Sequence, residues 1–125
     1  MSKLLLDTDI LIDLLRGRHA TRRFLAQVTQ QAVPCCSVIS VAELAAGLRA
    51  GEESATEALV NALVVVPVSR QIAEVAGRFK RTIRRQTLEL ADCLIAATAF
   101  VESATLVTGN VKDYPMSEVQ VMRGR

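Results

Sequence analysis

The sequence predicts an α/β fold of three layers, α/β/α, around a central, mainly parallel sheet of four to five strands. Three observations carry that prediction. Short apolar runs at Leu4–Leu6, Val33–Val38, Val64–Val66 and Thr105–Thr108 have the length of strands buried on both faces. Between them lie stretches with apolar residues at helical spacing. Each stretch is long enough for the crossover that parallel strands require. The 125 residues suit one domain, 1–125, large enough to bury a core.

Strand 1 runs from Lys3 to Asp7. Ile10, Leu11, Leu14 and Leu15 then change to helical period, and Gly17 supplies a helix stop. Thr21 to Gln31 is a second amphipathic helix on Phe24, Leu25 and Val28. Strand 2 spans Val33 to Val38. Ser40 and Glu43 fit an S-x-x-E capping box opening a helix to about Leu48. Glu52 to about Leu63 is helical, and Val64–Val66 is strand 3, stopped by Pro67. Ser69 caps a long helix with Ile72, Val75, Ala76 and Phe79 on its apolar side. An alanine-rich helix runs from Glu89 to about Glu102, and Thr105–Thr108 is strand 4. Gly109 to Pro115 is a loop, and Val119–Gln120–Val121 alternates like an edge strand.

Half of the residues are hydrophobic, which excludes a disordered chain. No apolar run approaches the roughly 20 residues of a membrane helix. Met1-Ser2-Lys3 leads straight into strand 1 without a cleavage pattern, so a cytoplasmic protein is expected. Cys35, Cys36 and Cys93 show no C-x-x-C spacing, which argues against zinc or a disulfide framework. Cys93, among Leu90, Ala91 and Leu94, reads as a small buried hydrophobe. His19 is the only histidine, which excludes a two-histidine nuclease and any His-rich metal site. With three Phe, one Tyr and no Trp, a base-stacking platform is excluded as well. A formal charge of +2 is too small to define partners.

The acids stand out by their settings. Asp7 follows three leucines, Glu43 lies in Val-Ala-Glu-Leu-Ala-Ala-Gly-Leu, and Asp92 lies in Leu-Ala-Asp-Cys-Leu-Ile-Ala-Ala. Charged groups are rarely placed in apolar surroundings unless paired or bound to metal. Asp7 ends a strand, Glu43 and Asp92 begin helices, and Asp113 sits in the loop after strand 4. In a parallel sheet all four positions fall at one edge, where α/β proteins bind ligands. Capping explains each acid singly but not their convergence. Like charges so placed call for a cation, and oxygen-only donors point to Mg²⁺ or Mn²⁺.

Four segments together resemble the PIN-domain family, in particular VapC-type toxins of bacterial toxin–antitoxin pairs. They are Leu5-Leu6-Asp7-Thr8-Asp9, Ser40-Val41-Ala42-Glu43-Leu44, Ala91-Asp92-Cys93-Leu94-Ile95-Ala96-Ala97-Thr98-Ala99 and Val107-Thr108-Gly109-Asn110-Val111-Lys112-Asp113-Tyr114. The resemblance spans essentially the whole chain. It implies a Mg²⁺- or Mn²⁺-dependent endoribonuclease with Asp7, Glu43 and Asp92 as the acidic core. The fourth acid departs from the pattern: Asn110 stands where many relatives carry an acid, and Asp113 comes three residues later. Asp9 stands where relatives often have asparagine, so it could return the missing charge or cap helix 1. Thr108 could hydrogen-bond a metal-bound carboxylate, with Thr8 and Ser40 as further supporting residues. A homodimer and a protein antitoxin are also implied.

On this reading one metal is held by Asp7, Asp92 and Asp113 or Asn110, a second near the leaving oxygen is possible, and Glu43 orients the attacking water or helps to hold a metal. Basic residues should flank the pocket to draw in RNA. Two clusters offer them: Arg16, Arg18, His19, Arg22 and Arg23, then Arg78, Lys80, Arg81, Arg84 and Arg85. Arg78, Arg81 and Arg85 recur at i, i+3, i+7, a stripe on one helix face. Ile10, Leu14 and Leu44 exceed the evident need of a small core, which fits a dimer. Two other readings compete. Asp7-Thr8-Asp9 also resembles the first motif of haloacid-dehalogenase-type phosphatases, although Asp113 has no acidic neighbour. A non-catalytic RNA-binding module on the same fold would keep the acids without their chemistry.

Overall fold

A computed structural model of the protein describes residues 2–125. Strand β1 is Ser2–Leu6, and it alternates: Leu4 and Leu6 enter one core, Leu5 the other. Helices α1 (Thr8–Leu15) and α2 (His19–Val28) follow, with a 3₁₀ turn at Thr29–Gln31. Gly17 stops α1 with φ +72°, a conformation that disfavours a side chain. Strand β2 (Ala32–Ser37) leads into α3 (Val38–Ala46), and α4 (Glu53–Asn61) leads into β3 (Val64–Val66). Helices α5 (Arg70–Thr82) and α6 (Leu90–Val101) precede β4 (Thr105–Thr108). A 3₁₀ turn at Val111–Asp113 and strand β5 (Val121–Arg123) complete the order.

The five strands lie in the order β3-β2-β1-β4-β5, and every pairing is parallel. Helices α1 to α4 cover one face through Ile10, Leu11, Leu25 and Leu44. Helices α5 and α6 cover the other through Ile72, Ala76, Phe79 and Ile95, with the rings of Phe79 and Phe100 edge to face. Burying each such side chain contributes roughly 1.5–3 kcal/mol. This is the expected α/β/α architecture. Its centre is the β1–β4 pair, from which the chain winds outward in both directions, so the carboxyl ends of these strands form the switch point.

Several local expectations are corrected. Strand β5 begins at Val121, where it pairs with Leu106, and Val119 is buried in the core instead. The capping box at Ser40 does not form. Helix α3 starts a turn earlier, with Ser37 as its cap accepting from the Ile39 N–H at 3.0 Å. Glu43 therefore lies within α3, not at its start, and Ser40 is freed for a long-range bond. Ile10 and Leu44 are buried in this chain's own core, against which Leu14 also packs, so they do not argue for a dimer. The apolar side chains that are exposed include Leu48, Leu90 and Phe100. Helix α5 ends at Thr82, with Ile83 extended, so Arg85 leaves the helix and the Arg78–Arg81–Arg85 stripe is broken. Cys35, Cys36 and Cys93 are all buried free thiols. Among the described residues no helix is long and apolar enough to cross a membrane.

Candidate active site

Asp7 leaves β1 at the switch point and becomes the N-cap of α1. Its Oδ1 accepts from the Thr8 N–H at 2.8 Å. Capping occupies only one oxygen. The other accepts from the Thr108 hydroxyl at 2.8 Å, across the β1–β4 seam. Thr108 is fully buried and in turn accepts from the Asn110 N–H at 3.0 Å, fixing the turn after β4.

Glu43 reaches the same edge from α3. The Thr8 hydroxyl donates to its Oε1 at 2.6 Å and contacts the Ser40 hydroxyl at 2.9 Å. Because Thr8 spends its single proton on Glu43, Ser40 is the donor in that second bond. A buried serine thus orients a threonine that orients an exposed carboxylate.

Asp92 sits in the first turn of α6, where Glu89 caps the helix without a side-chain bond. Tyr114, buried just after the Val111–Asp113 turn, donates its one proton to Asp92 Oδ1 at 3.4 Å, and its phenol also lies beside Asp7. Burial foremost, then the charges of Asp7 and Asp92, push the Tyr114 phenol up, so it remains a donor.

The electrostatics record the crowding. Burial is the main cause holding the Asp7 carboxyl above its ordinary value, opposed by the hydrogen bonds from Thr108 and the Thr8 backbone and by the nearby Tyr114 phenol, with the Glu43 charge adding to the rise. Asp92 is pushed up to about 6, by burial first and then by the charges of Asp7, Asp113 and Glu43. Asp7, Glu43, Asp92 and Asp113 therefore share one electrostatic neighbourhood. Asn110 behaves differently from Asp113: its side-chain amide donates to Asp9 at 3.1 Å. Among the described residues no three acidic, histidine or cysteine side chains close into a finished metal cage. The donors present at the edge are the oxygens that a hard divalent cation takes.

The raised Asp92 carboxyl has a stability consequence. Its folded pKa of about 6 exceeds the ordinary unfolded value near 4, so between them the folded state binds more protons. The stability Asp92 contributes is full below about pH 4 and is lost as pH rises through about 6. In EDTA, the melting-temperature difference, wild type minus Asp92→Asn, should fall across that window. A flat difference would show that the cluster does not act on Asp92.

Of the proposed RNA contacts, Arg78 is paired with Glu118 at 2.8 Å, and Arg16 reaches Glu52 at 3.7 Å beside Glu43. Arg85 donates to the Pro115 carbonyl at 3.0 Å, and the Lys80 ammonium is bonded to the Leu88 carbonyl. Arg22, Arg23, Arg81 and Arg84 carry no ion pair among the described residues. Three residues at or beside the site escaped sequence reasoning: Tyr114, Asp13 and Arg125. Asp13 had a signal, being another acid amid apolar helix residues.

A PIN-domain family model matches residues 4–115. The chain is 39% identical over 117 residues to Ribonuclease VapC10 of Mycobacterium tuberculosis, covering 92% of this chain and 88% of the relative. It is likewise 39% identical over 115 residues to Ribonuclease VapC19 of the same organism, with 90% and 92% covered. A chain from a toxin–antitoxin complex of Klebsiella pneumoniae superposes with a TM-score of 0.78 at 28% identity, over 98% of each chain. With the family model covering both acids at the switch point and the two on α3 and α6, the chain belongs to the PIN-domain family, among its VapC-type members.

Proposed function

We propose that the protein is a Mg²⁺- or Mn²⁺-dependent endoribonuclease and the toxin of a toxin–antitoxin pair. The observation that carries the chemistry is the gathering of Asp7, Glu43, Asp92 and Asp113 at one sheet edge, where burial first and then the charges of the other three push Asp92 up to about 6. The similar proteins Ribonuclease VapC10 and Ribonuclease VapC19 supply the substrate class.

Asp7, Asp92 and Asp113 would hold the cation, with Asp113 favoured over Asn110 because it brings a charge that already acts on Asp92, whereas Asn110 is neutral. When bound, the ion supplies Lewis-acid polarisation of the phosphate and a lowered pKa for water. The chain's own residues do the rest. Thr108 and the Thr8 N–H fix both oxygens of Asp7, so its carboxylate plane is set before substrate arrives. Tyr114 orients Asp92 by donating to its Oδ1. Glu43, aimed by Thr8 and Ser40, orients the attacking water and takes its proton. Exposed Arg22, Arg23, Arg81 and Arg84 are free to meet backbone phosphates, whereas Arg78 is neutralised by Glu118. A protein antitoxin is carried over from the toxin–antitoxin complex that the fold matches, and a homodimer from the family resemblance.

The test is incubation of partner-free protein with total bacterial RNA and Mn²⁺, beside EDTA and Asp7→Asn controls. Discrete cuts bearing 5′-phosphate and 3′-hydroxyl ends, absent from both controls, are the expected result. Cyclic 2′,3′-phosphate ends would mean that the RNA's own hydroxyl attacked and would sink the water mechanism. Cleavage that survives EDTA would sink the metal requirement.

A further inference from the structure

Beside the acidic edge lies an ion-pair network that the chemistry above does not use. Asp9 and Asp13 occupy one face of α1 four residues apart, a spacing at which like charges repel. One guanidinium resolves them. Arg125 lies 3.2 Å from Asp9 Oδ2 and, through its other terminal nitrogen, 3.3 and 3.2 Å from the two oxygens of Asp13. Asp13 is buried and also accepts from the buried Thr21 hydroxyl at 2.9 Å.

The seat for Arg125 is built by two glycines. A Cβ on Gly109 would stand 2.0 Å from Arg125 Nε and 2.6 Å from its Cζ. One on Gly124 would stand 2.6 Å from Val107 Cγ1 and 2.8 Å from Ile10 Cδ1. The backbone is pinned as well, the Gly124 N–H donating to the Thr108 carbonyl at 2.9 Å. Asp9 Oδ2, held by Arg125, accepts from the Gly109 N–H at 2.9 Å and the Asn110 amide at 3.1 Å. The carboxylate that Arg125 grips is thus the same one that fastens the turn following β4.

We propose that Arg125 is a positioning residue: it holds Asp9 as the anchor of the Gly109–Asn110 turn and withholds the Asp9 charge from the neighbouring carboxylates. Asp9 is close enough to Asp7 to feel its charge. Freed of Arg125, it adds a negative charge beside Asp7 while the turn that it fastened loosens. The effect on metal rests on the metal-nuclease reading; the effect on the turn does not.

Four variants separate the two: Arg125→Gln, Gly109→Ala, Asp9→Asn and the Arg125→Gln/Asp9→Asn pair. In metal-free protein, exchange of the Gly109 amide should speed up in Arg125→Gln, on the order of 10-fold, as its carboxylate acceptor is released. Gly109→Ala, which changes no charge, should speed exchange of the Asn110 side-chain amide, the other group held by Asp9 Oδ2, by evicting the guanidinium. Mn²⁺ titrated by its free electron-spin signal should bind Arg125→Gln about 10-fold tighter, the scale of one screened unit charge near a divalent ion. The double variant, with its charge restored, should return to within about 3-fold of wild type. Cleavage by Arg125→Gln should show reduced kcat at little-changed KM.

Unchanged Gly109 exchange in Arg125→Gln would overturn the anchor. Mn²⁺ affinity that is unchanged or weaker in Arg125→Gln would overturn the screening, since a tail that merely packs cannot tighten a cation. Wild-type protein that binds no Mn²⁺ would sink the metal reading, and the exchange measurement would still decide the anchor.

Discussion

Asp92→Asn is expected to lower RNA cleavage by on the order of 10³-fold while leaving the protein folded. The size follows from what is removed. A bound metal supplies several kcal/mol of transition-state charge stabilisation, and every 1.36 kcal/mol is tenfold in rate. Asparagine keeps the shape and can still accept from Tyr114 through its carbonyl, so the Tyr114 bond to Asp92 Oδ1 survives. What disappears is one charge of a cluster in which Asp7, Asp113 and Glu43 already press on it. The same loss relieves repulsion, so the metal-free variant should melt above wild type at pH 7. Full-length activity in Asp92→Asn, measured on the mapped cuts, would remove Asp92 from the site. A folded, inactive variant that melts higher is the signature of a residue kept for chemistry against stability.

Mn²⁺ itself should raise the melting temperature of wild type by about 10 °C when supplied at about 100 times its dissociation constant. At that excess a ligand of the folded state contributes about 2.7 kcal/mol, and 1 kcal/mol moves a chain of this size by several degrees. Asp7→Asn should lose most of that shift. Asp7 is the acid most constrained on the chain's side, with both oxygens already spoken for by Thr8 and Thr108. A carboxylate so fixed meets a cation without further ordering of its own, and its amide replacement removes the charge from that prepared position. A thermal scan with Mn²⁺ against EDTA decides it. Equal shifts in wild type and Asp7→Asn would mean that the ion binds elsewhere and that the acidic edge is not its site.

How much of this was legible beforehand depends on the range over which a residue's partners lie. The strand–helix alternation is written in windows of a few residues, since Leu4–Leu6 and Val64–Val66 are short apolar runs between helical periods, although β3 lies at the sheet edge with Val64 exposed. The acidic edge was legible too. Asp7, Glu43 and Asp92 stand in apolar surroundings, Asp113 follows in the loop after strand 4, and parallel topology sends all four to one end of the sheet. Glu43 was found for partly the wrong reason. Its place in a capping box was a local pattern that lost to the earlier cap at Ser37, where strand β2 turns directly into α3.

The sequence alone therefore determined the fold class, through periodicity, and pointed to the candidate carboxylates, through misplaced charge, because both are properties of short windows; the family came from the resemblance of four segments. Only the tertiary structure decided which hydroxyls aim the carboxylates. It joined Thr8 to Ser40 and Glu43, 32 and 35 residues away, and Thr108 to Asp7 across 101. It also neutralised Arg78 with Glu118, broke the arginine stripe by ending α5 at Thr82, and laid Arg125 over Gly109 between Asp9 and Asp13. Those outcomes rest on which strands lie side by side and on where a Cβ has no room, and neither quantity exists until the sheet has closed.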